Sequence, residues 1–182
     1  SLPVYPERLG LRLLNQDLGY WNVPKISGPL KIWVAGCGTN QAIFTALRFP
    51  ECTVLATDVS TGSLEVARGT AAQIGIKNLT IVELSINSVD FENEFDYIIC
   101  TGVIHHNADP AYTLSKLVRA LKTNGVMELM VYNYYQRLLT TAFQKAVRVL
   151  TRDSMDFVNE YRVAKTILTE QNSSTAMNQF VY

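Results

Sequence analysis

The sequence has no apolar run long enough to span a bilayer, which excludes a chain built on transmembrane helices, and no membrane partner is expected. It has no surplus of charge either. Sixteen basic residues cancel sixteen acidic ones. Nothing therefore argues for a polyanion-binding surface, and nucleic acid is not an expected partner. Cysteine is scarce: Cys37, Cys52 and Cys100 are odd in number, scattered, and each lies in or beside an apolar strand pattern. That usage reads as buried thiols in a reducing compartment, not as a disulfide framework. Histidine is scarcer still, with only the adjacent His105 and His106. No leader pattern opens the chain, so a cytoplasmic setting is expected. In that setting the glycosylation sequons at Asn78-Leu79-Thr80 and Asn172-Ser173-Ser174 stay unused. No internal repeat or low-complexity tract appears. The first residue is Ser1, and the last four, Gln179-Phe180-Val181-Tyr182, read as the start of an element, so a fragment of a longer chain is one reading.

What is present is organised around Ile32-Trp33-Val34-Ala35-Gly36-Cys37-Gly38-Thr39-Asn40-Gln41. An apolar run meets two glycines and a helical pattern follows at once. Glycine at 36 and 38 permits backbone closed to other residues and close approach of a ligand. The start of the helix offers amides to a hydrogen-bond acceptor. The 182 residues suit one domain with its own core. Residues 1–30 are a preamble, with a short helix over 6–15 turning Leu9, Leu11, Leu13 and Leu14 inward. Tyr5, Tyr20 and Trp21 pad the core edge or cover a ligand.

Strands are expected at 31–35, 53–57, 79–84, 97–100 and 126–132, with helices between them. Pro50 stops the first of these helices and Gly75 closes the next. Asp109-Pro110 starts a third, a capping acid followed by proline at the first helical position. Its inner stripe is Leu114, Leu117, Val118 and Leu121, and Asn124-Gly125 ends it. The strands are nearly all apolar, as strands covered on both faces are. The expected fold class is α/β, a doubly wound, mainly parallel Rossmann-like sheet with helices on both faces. A C-terminal helical extension follows. One helix there carries Leu138, Leu139, Ala142, Phe143, Ala146, Val147 and Leu150, and another spans about 155–168. The segments are 1–30 preamble, 31–132 ligand-binding core and 133–182 extension.

Chemistry gathers at the carboxyl ends of the strands, where open α/β sheets hold ligands. Gly36, Gly38 and Asn40 follow strand one, Asp58 ends strand two, Ser85-Ile86-Asn87 follow strand three, and Thr101 to His106 follow strand four. Asp58 stands about 20 residues beyond the glycine turn, where a carboxylate accepts from both ribose hydroxyls. Capping of the next helix is the alternative. A dinucleotide site wants a third glycine at the sixth position, where Gln41 stands, so a nucleoside with a short charged tail fits better.

Residues 31–132 resemble the core of class I S-adenosylmethionine-dependent methyltransferases, most closely bacterial type-11/12-like members. Ala35-Gly36-Cys37-Gly38-Thr39-Asn40 resembles the glycine-rich first motif, and Ala56-Thr57-Asp58-Val59-Ser60 the ribose-binding second. Phe95 to Ile99 resembles the fourth strand. Gly102-Val103-Ile104-His105-His106-Asn107-Ala108-Asp109-Pro110 is similar to an "LHH-x-x-D-P" segment, and Leu121 to Met127 to an "L-k-p-G-G" turn. The resemblance implies S-adenosylmethionine as cofactor, held by Gly36, Cys37, Gly38, Asn40, Asp58, Val59, Ser85, Ile86 and Thr101. Val59 and Ile86 would sandwich the adenine. The chain departs from the family at Val34, where an acid is frequent, and at Asn40, in place of a third glycine and tolerant of left-handed backbone. It departs again at Ser85, where an acid usually receives the adenine amino group, a task Asn87 would share.

The implied reaction moves a methyl group to a small-molecule or protein acceptor. His105 or His106 is the candidate catalytic base, since imidazole titrates in the useful range. Adjacent histidines are expected to point apart, and with no third ligand in view no metal is expected. Tyr132, Asn133, Tyr134 and Tyr135 end strand five, facing the acceptor. The extension would serve as a lid, an acceptor wall or a homodimer surface. Two other readings stand beside this one: a methyltransferase-like module that binds cofactor without turnover, and an NAD-dependent oxidoreductase.

Overall fold

A computed structural model describes residues 9–20, 25–152 and 156–170. Tyr5, Trp21, the sequon at Asn172 and the Gln179–Tyr182 run lie outside the described residues. Two compact units divide the chain, the first ending at Val131 and the second starting at Tyr132.

Within the first unit, β1 (Lys31–Ala35) has two parallel neighbours, β2 (Thr53–Asp58) and β4 (Phe95–Thr101). Outside them lie β3 (Leu79–Glu83) and β5 (Leu121–Met130), giving the parallel order β3-β2-β1-β4-β5. The chain winds outward from β1 in one direction and then returns to build in the other. The β1/β4 junction is therefore the switch point, where the connections diverge and leave a crevice at the carboxyl ends.

Side chains of β1 alternate between the two faces. Ile32 and Val34 pack with Leu14 and Leu18 of α1 (Leu9–Tyr20), Ala42 and Ala46 of α2 (Gln41–Arg48) and Leu64 of α3 (Thr61–Ile74). Trp33 and Ala35 pack the other way, with Phe95, Ile98, and Leu117 and Ala120 of α4 (Pro110–Ala120). Trp33 is fully buried; its indole Nε1 donates to Thr57 Oγ1 at 2.9 Å, and its ring meets Phe91 edge-on. The doubly wound α/β fold with helices on both faces is thus present. Burial on both faces holds for the inner strands, whereas β3 and β5 at the margins are half exposed.

Several element boundaries differ from expectation, most of all at the first helix and at the passage from α4 to β5. The first helix runs to Tyr20, which is exposed rather than packed at a core edge. Helix α4 ends at Ala120, because Leu121 already pairs with Phe95 across the sheet. The ladder then slips before resuming at Tyr97 opposite Val126, and Gly125 makes the slip feasible. A Cβ there would meet Leu121 Cδ1 at 2.7 Å. The buried residues of α4 are Thr113, Leu117 and Ala120, while Val118 is exposed. Asp109 does cap this helix, accepting from Tyr112 N at 2.9 Å.

Asn78 acquires a structural role. Its side-chain amide donates to the carbonyls of Ala46, Phe49 and Cys52, at 3.2, 3.0 and 3.0 Å, and so ties the end of α2 to the entry of β3. Asn78→Ala withdraws the two N–H protons these carbonyls share, and of the three only Phe49 O keeps another backbone donor, Cys52 N. We expect it to cost about 1–3 kcal/mol in urea unfolding, at roughly 0.5–1.5 kcal/mol per neutral bond. An unchanged midpoint would contradict that role.

The second unit holds α5 (Tyr134–Leu150) and α6 (Phe157–Glu170), which pack on one another. Asn133 caps α5 by accepting from Tyr135 N, and Arg137 lies over the Tyr132 ring. Along the expected inner stripe only Val147 is buried; Leu138, Leu139 and Leu150 are exposed. A two-helix hairpin has a single seam, too narrow to cover so wide a stripe.

Candidate functional site

A cavity of about 290 Å³ opens over the carboxyl ends of β1, β2, β3 and β4. Gly36, Asp58, Val59, Ser85, Ile86 and His106 line it, together with Leu84, Gly102, Val103 and Asn107. A larger cleft of about 760 Å³ lies at the opposite, amino ends of the strands, around Asn93, Asp96 and Lys122. None of the residues singled out for chemistry is there.

The glycine turn is strapped to β2. Gly36 N and Cys37 N both donate to Thr57 O, at 2.8 and 3.0 Å. Gly38 N donates to Asp58 Oδ2 at 2.8 Å. These three amides are spent inside the protein, and what they create is a fixed rim. Gly36 has φ +74°, and a Cβ on it would strike Val103 Cγ2 at 2.4 Å, so the turn closes against the β4 loop only without a side chain. Gly38, at φ +54°, faces open space. Asn40 is not left-handed: its φ is −122°, and its side chain makes no capping bond to α2.

The other oxygen of Asp58, Oδ1, accepts from Ser60 N at 2.9 Å. The cap of α3 is Ser60, whose hydroxyl accepts from Ser63 N, so Asp58 is not the helix cap. Each carboxylate oxygen accepts one backbone N–H and keeps a lone pair for a second donor. Val59 and Ile86 put apolar surface in the same cavity. Ser85 also lines it, but its hydroxyl already accepts from Asn87 N at 3.2 Å. The Asn87 amide is committed elsewhere, to Asn107 and Thr113, and does not reach the cavity wall.

Not every expected residue meets the cavity. Cys37 is buried with its thiol toward Gly38 O, and Thr101 donates to Gln41 Oε1 at 2.8 Å, bracing β4 against α2. Cys37, Gly38, Asn40 and Thr101 are not among the residues that line the cavity. His105 is half-buried and His106 exposed. Their ring centroids lie 4.2 Å apart, so the two imidazoles sit against each other rather than pointing apart, and only His106 lines the cavity. Among the described residues no group of His, Cys, Asp and Glu is arranged to hold a metal ion. Gly102 and Val103, in the segment expected to follow strand four at the ligand edge, do line the wall, while Leu84 and Asn107 join it without having been singled out as ligand contacts. The signal for Gly102 was a glycine ending a strand, here at φ +75°.

Burial pushes the Cys37 thiol up to about 11, with the Asp58 carboxylate adding to the effect, and burial does the same to Cys100. An unfolded thiol loses its proton near pH 8.5. Folded-state values raised in this way give stability that is complete below that pH and is lost as pH climbs toward 11. The urea midpoint should therefore be lower at pH 10 than at pH 8. Equal midpoints would contradict the buried-thiol assignment.

Comparison with known proteins places this arrangement. A family model described as a methyltransferase domain matches residues 33–127. An uncharacterized protein from Synechococcus sp. is 32% identical over 70% of this chain and 31% of its own length. The malonyl-[acyl-carrier protein] O-methyltransferase of Acetivibrio thermocellus is 27% identical over 58% of this chain and 36% of its own. Among solved structures, PKMT2 from Rickettsia typhi in complex with AdoHcy aligns with a TM-score of 0.72 at 22% identity, covering 94% of this chain and 33% of that one. At that identity the likeness is one of fold. The chain spans about a third of the length of the curated relatives it matches.

Proposed function

This chain belongs to the class I S-adenosylmethionine-dependent methyltransferase family, and from that premise we propose that it binds S-adenosylmethionine in the β1/β2/β3/β4 cavity and transfers its methyl group to an oxygen or nitrogen acceptor. One observation carries the reading. Asp58 lines the cavity while its carboxylate is held by Gly38 N and Ser60 N. A carboxylate so fixed offers its remaining lone pairs in a set direction, which suits a ribose diol. Val59 and Ile86 supply the apolar faces for an adenine ring, and Ser85 stands where the exocyclic amine would lie. Gly36 and Gly38 keep the rim free of side chains beside the charged tail.

S-adenosylmethionine, when bound, supplies a methyl carbon already activated by a sulfonium. The protein's share of the work is alignment and exclusion of water. Gly36, Asp58, Val59, Ser85 and Ile86 would hold that cofactor, its sulfonium would supply the methyl carbon to the acceptor atom, and the acceptor's proton would pass to a base. His106 is the candidate base, being the histidine on the cavity wall, with His105 as its ring neighbour. Residues 31–132 form the cofactor-binding core, and 133–182 an acceptor-recognition or dimer-forming segment. The acceptor is a small molecule or a protein side chain in the cytoplasm. The Acetivibrio relative is named for methylation at oxygen, which favours testing oxygen acceptors first.

The family match weighs against the nicotinamide reading, as does Gln41, whose side chain is bound to Thr101 where a third glycine would stand. The cofactor-binding module without turnover draws support from the uncharged Ser85, whose hydroxyl already accepts from Asn87 N, and from the apolar Val34. Transfer of labelled methyl from S-adenosylmethionine to a panel of carboxylate, hydroxyl and amine acceptors separates the two. Label in an acceptor supports the enzyme. Tight cofactor binding with no label in any acceptor supports the module.

A further inference from the structure

The cavity is bounded by two loops from different strands. One follows β3 and contributes Leu84, Ser85 and Ile86; the other follows β4 and contributes Gly102, Val103, His106 and Asn107. Nothing in the ladder of the sheet joins them, because β3 and β4 are separated by β2 and β1. A side-chain bridge does. Asn87 Nδ2 donates to Asn107 Oδ1 at 3.0 Å. Asn107 Nδ2 in turn holds its own loop through Val103 O at 3.1 Å. Thr113 of α4, fully buried, donates its hydroxyl proton to Asn87 Oδ1 at 2.8 Å while its N–H donates to Asp109 O at 3.1 Å, and so anchors the bridge to the helix start. Asn87 N closes the chain on Ser85 Oγ.

We propose that Asn87 is a positioning residue: it fixes the distance between the adenine rim at Ser85-Ile86 and the histidine rim at Val103–Asn107, so that the cavity is preformed for its nucleoside. The inference rests on the reading of the cavity as a cofactor site. Asn87 itself touches no ligand. Its effect is to remove the ordering cost that two independent loops would add on binding. Each member of the bridge is held at both ends, so loss of the central bond frees one rim from the other without emptying the core.

Calorimetric titration of the 182-residue chain with S-adenosylhomocysteine, alongside thermal unfolding, tests this. Asn87→Asp keeps the acceptor for Thr113 and loses the donor to Asn107. It should weaken binding about three- to tenfold, the value of one neutral hydrogen bond. Asn107→Ala removes the same bond from the other loop and should weaken binding at least as much. The double variant should lose no more than the weaker-binding single, since both break one bridge. Asn107→Asp, which still accepts from Asn87 Nδ2, should bind more tightly than Asn107→Ala. A lower melting temperature with unchanged affinity, or losses that simply add, would overturn the positioning role. If one Asn87 variant fails to fold, the comparison of Asn107→Ala with Asn107→Asp decides alone: equal affinities overturn it. Absence of binding by the unaltered chain would instead sink the cofactor reading and leave the two failures distinct.

Discussion

Asp58→Ala should weaken binding of S-adenosylmethionine by about 1.5–3 kcal/mol, roughly ten- to a hundredfold, the range for hydrogen bonds to a charged group. Two losses combine. The carboxylate no longer offers an ionised acceptor to the ligand, and Gly38 N and Ser60 N lose the partner that fixes the turn. Asp58→Asn separates them. Its remaining carbonyl can keep one backbone bond but not both, and it has no charge. Its affinity should therefore fall nearly as far as that of Asp58→Ala, with less loss of stability. Calorimetry on the two variants reads the first quantity and urea unfolding the second. Unchanged affinity in Asp58→Ala would remove Asp58 from the site and leave it a turn clamp.

Trp33→Ala should destabilise the fold by about 3–5 kcal/mol, as deletion of a fully buried aromatic does. Among the described residues the indole is the largest side chain with no exposed surface, and it sits in the central strand. Its removal opens a cavity between β1, Phe91 and Phe95. It also leaves the buried Thr57 hydroxyl without its donor, and Thr57 O is the acceptor that holds Gly36 and Cys37. The damage should reach the site, so the variant should bind S-adenosylhomocysteine more weakly even at temperatures where it remains folded. Trp33→Phe keeps most of the volume and loses only the N–H bond, for an expected cost of about 1–2 kcal/mol. A loss below 1 kcal/mol in Trp33→Ala would mean that the sheet closes over the gap.

Much of this was legible in the chain because the relevant signals are local. A glycine turn, an acid at the end of the next strand, Gly75 after a helical stripe and Asp109-Pro110 before one each act within a few residues. Their order alone points to the sheet. What could not be read acts across the fold. Asn-Gly at 124–125 reads as a helix stop, yet here it closes an irregular entry into β5, and the choice is made by Leu121 pairing with Phe95, 26 residues away. Asn78 looks like a sequon, and its real work is a bond to three carbonyls up to 32 residues off. Asn87, Asn107 and Thr113 have no periodic relation to one another, and their bridge exists only once β3 and β4 stand in one sheet. The amides of Gly36, Cys37 and Gly38 are bound by β2, which no pattern in residues 36–38 announces.

Everything functional depends on the rim at Gly36–Gly38 and the Asp58 carboxylate together accepting an adenosine-bearing ligand. The most direct measurement is calorimetric titration of the unaltered chain with S-adenosylhomocysteine and, separately, with NAD. Saturable one-site binding of the first, lost or sharply weakened in Asp58→Ala, is the predicted result. Heat with NAD alone, or affinity for S-adenosylhomocysteine indifferent to Asp58, would contradict it.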